Sequence, residues 1–261
     1  AKGIGGRLRE VGMPESEQGL TSGRPVSIDA VVRVIQRAPS SGATYIPALR
    51  FHALTGLFDP LMRLVMRDEQ LRRLTLSLLR PEPATRVLDI GCGTGSLAVR
   101  LKQEHPRATV VGYDIDPAAL AIAEHKAREA QISVTWARGP ADDPPFPDQS
   151  FDLVTSSLLL HHLLPSGKRS ALAAASRLLK PGGRLVLVDF TRPEGRLRAL
   201  AFSIVRTLDG RRETEDHAGG RMPAFVEEAG FANVAERLRL NTALGTIGFI
   251  TAYKPRSGWA P

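Results

Sequence analysis

At 261 residues the chain is long enough for one large domain with a full apolar core, and 43% hydrophobic with 24% charged residues is an ordinary globular balance. It has no apolar run near the roughly 18 residues of a membrane span and no N-terminal secretion pattern, and its single cysteine, Cys92, excludes an internal disulfide and a cysteine-based zinc site. These features predict a cytoplasmic protein. The net charge of +8 invites an anionic partner, yet only six of the 35 basic residues are lysine and the arginines are spread along the whole chain, which argues against a nucleic-acid patch.

Residues 1–44 are rich in Gly, Ser and Pro, with one short helical pattern at 28–36, and read as a loose extension. Residues 58–79 carry Leu61, Leu64, Val65, Leu71, Leu74 and Leu78 at helical spacing, between Asp59-Pro60 and Pro81. An alternation then begins: strand 86–90, helix 96–103, strand 109–113, helix 117–130, strand 133–136, strand 151–156, helix 168–179 and strand 184–189. It predicts an α/β fold with a doubly wound, mostly parallel sheet. Lys180-Pro181-Gly182-Gly183 has the residue order of a type II turn. Next, Leu197, Leu200, Ala201, Ile204, Val205 and Leu208 form a helical stripe flanked by Arg192, Arg196, Arg198 and Arg206. A helix at 222–229 precedes two strands, 234–240 and 246–253, predicted as a C-terminal antiparallel hairpin that completes seven strands.

Asp89-Ile90-Gly91-Cys92-Gly93-Thr94-Gly95 lies between the first strand and its helix, where an open parallel sheet binds ligands. Glycines there let a ligand approach the backbone. A dinucleotide fingerprint would place glycine where Ser96 stands, and no lysine follows the glycines as a phosphate loop requires. Asp114, ending the second strand 19 residues beyond Gly95, is placed to accept from both hydroxyls of a ribose. Cys92 reads as a small residue packed under the loop.

With Tyr113-Asp114-Ile115-Asp116, Phe151-Asp152-Leu153-Val154 and Lys180-Pro181-Gly182-Gly183 in the same order, the chain resembles class I S-adenosylmethionine-dependent methyltransferases, which have a Rossmann-like fold. The resemblance covers roughly residues 45–254. Within that superfamily the chain is most similar to the ubiquinone/menaquinone C-methyltransferase-like group, through Phe58-Asp59-Pro60, Pro145-Phe146-Pro147-Asp148, Gly230-Phe231 and Ala252-Tyr253-Lys254. It implies the cofactor S-adenosyl-L-methionine, leaving as S-adenosyl-L-homocysteine. Gly91, Gly93, Thr94 and Gly95 would face its methionine part, Asp114 its ribose, and Ile115 and Ala141 its adenine, while Ser157 would sit at the cleft end of the fourth strand. Asp89 would either touch the cofactor or orient the loop. Pro140 stands where the family has an acidic or amide residue, so Asp142 or a backbone group would meet the adenine amine. The implied layout is an N-terminal helical substrate cap at 45–82, a cofactor-binding domain at 83–254 with a lid inserted at 191–217, and a tail at 255–261. Tyr45, Phe51, His52 and Phe58 would line the acceptor space.

The implied reaction moves a methyl group to a small hydrophobic acceptor: quinone-like, lipid or natural product. A nucleic-acid methylase and a cofactor-binding module without turnover are the alternatives. His161 and His162 are the candidates for a base, since imidazole accepts a proton near neutral pH; positioning or helix capping is the competing role. The quinone enzymes carry Arg-Asn at this place. The stripe over 197–208 would face the acceptor, with its arginines solvated or set against a membrane surface. No metal site is expected, and the oligomeric state is left open, a dimer included. Asp143-Pro144-Pro145-Phe146 spells the catalytic loop of base-methylating enzymes, but it precedes the fourth strand, whereas theirs follows it.

Overall fold

The computed structural model describes residues 66–256. The 1–44 extension, most of the 45–82 cap with Tyr45, Phe51, His52 and Phe58, and most of the tail lie outside the described residues. Strands β1 (Arg86–Ile90), β2 (Thr109–Asp114), β3 (Thr135–Arg138), β4 (Phe151–Ser157), β5 (Leu179–Phe190), β6 (Ala232–Thr242) and β7 (Gly245–Tyr253) form one sheet in the order β3-β2-β1-β4-β5-β7-β6. The first five strands are parallel, and β7 pairs antiparallel with both β5 and β6. This is the predicted seven-stranded fold.

Successive side chains of a strand point to opposite faces, so the central strands feed two cores. Val87, Val110, Val186 and Val188 pack with α1 (Asp68–Leu79), α2 (Ser96–Glu104), α3 (Pro117–Glu129) and α5 (Gly195–Leu208). Leu88, Val111, Val154, Leu185 and Leu187 pack with α4 (Pro165–Leu178) and α7 (Met222–Glu228). Burial on both faces explains why these strands read as unbroken apolar runs. The Asp152 carboxylate accepts from the Arg86 backbone N–H (2.8 Å) and the Lys180 ammonium (2.6 Å), joining the starts of β1, β4 and β5.

Besides an earlier start of α4 and longer ends of β6, four local features differ from the sequence expectation. β3 starts two residues later, because Gln131 adopts φ +53° and Ile132 bonds back to Ala127 O, lengthening the turn after α3. Lys180–Gly183 is an irregularity within β5, which already begins at Leu179. Gly182, at φ +80°, donates to Lys254 O while Lys254 donates to Gly183 O. The stripe on α5 also splits. Val205, with Phe202 beside it, turns inward, while Leu197, Leu200, Ile204 and Leu208 are 54–79% exposed.

The fourth difference is α6 (Arg211–Ala218), whose RRETEDHA sequence has no apolar periodicity to announce it. Polar burial holds it instead. Lys168 of α4, wholly buried, donates to Glu213 O and to Asp216 Oδ2 (3.5 Å) and lies 3.3 Å from His217 Nδ1. Removing one partner of a buried ion pair strands the other. Lys168→Met is therefore expected to lower unfolding free energy by about 3 kcal/mol in urea titration, whereas a merely solvated lysine would leave it unchanged.

Candidate active site

The chain leaves β1 into a loop where Gly91, Gly93 and Gly95 all hold positive φ. A Cβ on Gly95 would collide with Trp136 and Ala123, so the loop seats tightly on β3 and α3. Above Gly93 no atom lies within 4 Å of where a Cβ would stand, which leaves open space over the loop. Lys126 of α3 fastens the loop from below: its ammonium donates to Thr94 O (3.0 Å), Thr94 Oγ1 (2.9 Å) and Ser96 Oγ (2.8 Å). The Thr94 hydroxyl thus points back toward α3. Lys126 was missed by sequence reasoning because only the tertiary fold brings it to residues some 30 positions earlier.

Asp114 closes the other side. Its Oδ2 accepts from Gly93 N (2.7 Å) and its Oδ1 from Asp116 N (2.9 Å), which aligns the carboxylate and leaves two of its roughly four lone-pair sites unused. Asp116 caps α3 by accepting from Ala118 N (2.8 Å), with Pro117 at the first helical position. Ile115 is half-buried beside it. Asp89 is buried, and its Oδ1 has no hydrogen-bond partner. Burial first, and the Asp114 charge second, push its carboxyl up to about 7. Asp89 pairs with Thr155 across β1 and β4, so Ser157, two residues on, shares its face of the sheet; the Ser157 hydroxyl is also without a partner.

Ala141 is half-buried against the core and Asp142 is exposed at the rim. The following residues form a plug. Phe146 is buried edge-on against Tyr113 and Phe151, and the Arg177 guanidinium donates to Pro144 O, Phe146 O and Asp148 Oδ1. The stretch lies before β4 and is pinned to α4, with Asp143 exposed.

Beyond β4 a single 3-10 turn, Leu160–His162, carries both histidines. His161 is buried with Nδ1 2.7 Å from Asp189 Oδ1 at the end of β5. Asp189 also accepts from Leu160 N (2.7 Å), His161 N (3.3 Å) and Phe190 N (2.7 Å). Burial pushes the Asp189 carboxyl up, but the His161 and His217 charges and these donors outweigh it and hold the group well below the usual carboxylate range. A carboxylate at Nδ1 assigns the proton to that nitrogen and leaves the lone pair on Nε2, which faces Asp209. Nε2 lies 3.8 Å from Asp209 Oδ2, at the C-terminus of α5, and His162 Nδ1 lies 3.4 Å from Asp209 Oδ1. For His162 burial works downward, yet Asp209 prevails and raises its pKa. His217, 3.7 Å from Asp189, is driven down to about 4 chiefly by burial. Asp209 and His217 went unnoticed in the sequence, and Asp189 was read only as a strand end.

Residues 87–183 match the family model described as a methyltransferase domain. An uncharacterized methyltransferase of Synechocystis is 34% identical over 180 residues, covering 69% of this chain and 82% of its own. The ubiquinone/menaquinone biosynthesis C-methyltransferase UbiE of Teredinibacter turnerae is 32% identical over 206 residues, with 70% and 82% covered. The chain belongs to the class I S-adenosylmethionine-dependent methyltransferases. Demethylmenaquinone methyltransferase of Thermus thermophilus is 38% identical over 145 residues, and this methyltransferase spans 65% of its length. Two solved structures share the fold. The methyltransferase SibL has a TM-score of 0.63 at 24% identity, with 86% of this chain and 65% of that one covered. A Haemonchus contortus phosphoethanolamine N-methyltransferase, in complex with S-adenosylmethionine, has a TM-score of 0.58 at 18% identity, with 71% and 52% covered. Among the described residues no helix of the methyltransferase is long and apolar enough to cross a membrane.

Two measurements test the loop. Lys126→Met is expected to weaken cofactor binding about tenfold by freeing Thr94 and Ser96, read by calorimetry at a temperature where a thermal melt shows the variant folded. For Asp89, the folded carboxyl titrates near 7 and the unfolded one near 4, so the folded state holds the extra proton between those values. Stability then falls as pH rises across that window. Cofactor-free Asp89→Asn is expected to melt above the parent at pH 8 and level with it at pH 4.

Proposed function

We propose that the protein transfers the methyl group of S-adenosylmethionine to a small hydrophobic acceptor, quinone-like, lipid or natural product, in the cytoplasm. The observation that carries the cofactor assignment is the unpartnered, buried Asp89 Oδ1 on the strand that leads into the glycine loop, where open space lies over Gly93. A carboxylate so placed suits an ammonium group, as the methionine end of the cofactor carries. Gly91, Gly93, Thr94 and Gly95 supply the backbone cradle, and Asp114, prealigned by Gly93 N, has acceptor capacity left for the ribose hydroxyls. Ile115 and Ala141 offer apolar surface to the adenine, Asp142 stands at the rim for its amine, and Ser157 lies at the end of β4. The bound cofactor supplies an already activated methyl group, so the protein's share of the chemistry is alignment and exclusion of water.

The acceptor class is supported by relatives whose names specify menaquinone and ubiquinone biosynthesis. Such acceptors lose a proton when methylated. His161, held by Asp189 with the lone pair on Nε2, is the group we assign to receive it; His162 serves beside it as a positioning group. Residues 191–217, with α5 and α6, act as the lid, and residues 45–82 as the cap.

Calorimetry with the purified chain tests the cofactor site. Asp114→Ala is expected to abolish S-adenosylmethionine binding, and affinity for the parent is expected to fall below pH 7 as Asp89 takes up a proton. Unchanged affinity in Asp114→Ala would sink the assignment. Labelled methyl transfer into a panel of quinols and phenols tests the base: His161→Ala is expected to lose about 10²–10⁴ in kcat with cofactor affinity intact.

A further inference from the structure

We propose that His161, His162 and Asp209 form a binding site for one divalent transition-metal ion, of which zinc is the best fit. Their ligand atoms, one from each residue, all lie within 4.8 Å of one another. The separations of 3.8 Å and 3.4 Å to the Asp209 oxygens are long for hydrogen bonds. The shorter matches, and the longer slightly exceeds, the spacing of about 3.4 Å between neighbouring ligands of a tetrahedral zinc with 2.0–2.1 Å bonds, each histidine facing a different Asp209 oxygen. The three groups therefore face one another across a space of the size an ion needs.

An independent observation points the same way. His161 Nδ1 is 2.7 Å from the buried Asp189 carboxylate, which is itself fixed by three backbone N–H groups. A carboxylate behind a histidine sets the tautomer, fixes the ring and raises the basicity of the other nitrogen, an arrangement typical of metal-ligating histidines. The Phe190 ring stands edge-on to His161 at 4.9 Å and limits its rotation. The other charged neighbours are His217, whose ring stands edge-on to His161 at 6.2 Å and 3.7 Å from the same Asp189 oxygen, and Lys168, bound to Glu213 O and Asp216. The His162 side chain is 31% exposed, which gives an ion a way in. Two imidazoles and one carboxylate favour zinc or its transition-metal neighbours over magnesium or calcium, which prefer oxygen ligands. Three protein ligands leave a position open.

The functional consequence rests on the reading of His161 as base. A metal ion on Nε2 takes the lone pair that would receive the acceptor's proton, so zinc occupancy and methyl transfer exclude each other. The site makes the enzyme zinc-sensitive.

The full chain, stripped with a chelator, is titrated with zinc by calorimetry and with cobalt(II) by visible absorption. The expected result is one equivalent bound at micromolar affinity or tighter, with cobalt bands of low-symmetry coordination. Asp209→Asn and His162→Ala are each expected to weaken binding tenfold or more, and Asp189→Asn about 10–100-fold. His125→Ala, on an exposed histidine beside Glu129 in α3, leaves it unchanged. Thermal melts and cofactor affinity check that the variants stay folded. Absence of zinc binding, or binding that Asp209→Asn leaves intact, overturns the site. Zinc bound there without loss of methyl transfer upholds the site and overturns His161 as base. Loss of transfer in His161→Ala with no zinc binding does the reverse.

Discussion

A carboxylate buried in a protein interior is tolerated only if donors replace its lost water, and Asp189 collects four of them. Three are backbone N–H groups and one is the His161 ring. Through them one side chain at the end of β5 sets the backbone of the turn after β4, the tautomer of His161 and the direction of its free nitrogen. His217 of α6 adds a long contact to the same carboxylate, so the segment after β5 is organised around it as well. The bonds do more than stabilise: they decide which atom is left available for chemistry.

The glycine loop has a different logic. Asp114 and Gly93 order each other, and Lys126 holds the loop from beneath, so its shape exists before any ligand arrives. Preorganisation of this kind lowers the entropy lost on binding. Asp89 supplies the opposite quality, an unsatisfied group. Its carboxyl is pushed up by burial, which disfavours the charged form, and then by the Asp114 charge. A rigid loop and one unmet hydrogen-bonding group thus lie side by side in the chain.

Much of this architecture was legible in the sequence. The bounds of β1 coincide with the reading, since two-sided burial forces an apolar run that turn residues interrupt. β7 was legible for the same reason, and β6, far less buried, through the short glycine-containing connection that joins the two. β3 slipped because nothing local marks Gln131 as the left-handed residue that lengthens its turn. The helix α6 was hidden because its partners are polar and its anchor, Lys168, lies over 40 residues away. The same holds at the site. The histidine pair and the glycines stood out as motifs, whereas Asp189, Asp209 and Lys126 acquire meaning only from contacts about 28 to 48 residues long. Composition and spacing report elements; charge partners belong to the folded chain.

The Arg177 clamp on the Pro144–Asp148 stretch has a mechanical consequence. Arg177 sits in the last turn of α4, and α4 begins just after the turn that carries His161 and His162. One helix of 14 residues, about 21 Å long, therefore runs the full depth of the sheet, from the histidine turn beyond the carboxyl end of β4 to the start of that strand, where Gln149 N donates to Arg177 O. The histidines hang from one tip and the Pro144–Asp148 stretch from the other. Loops elsewhere can breathe without altering the span between them, because a helix is stiff along its axis. The sheet carries its own ruler.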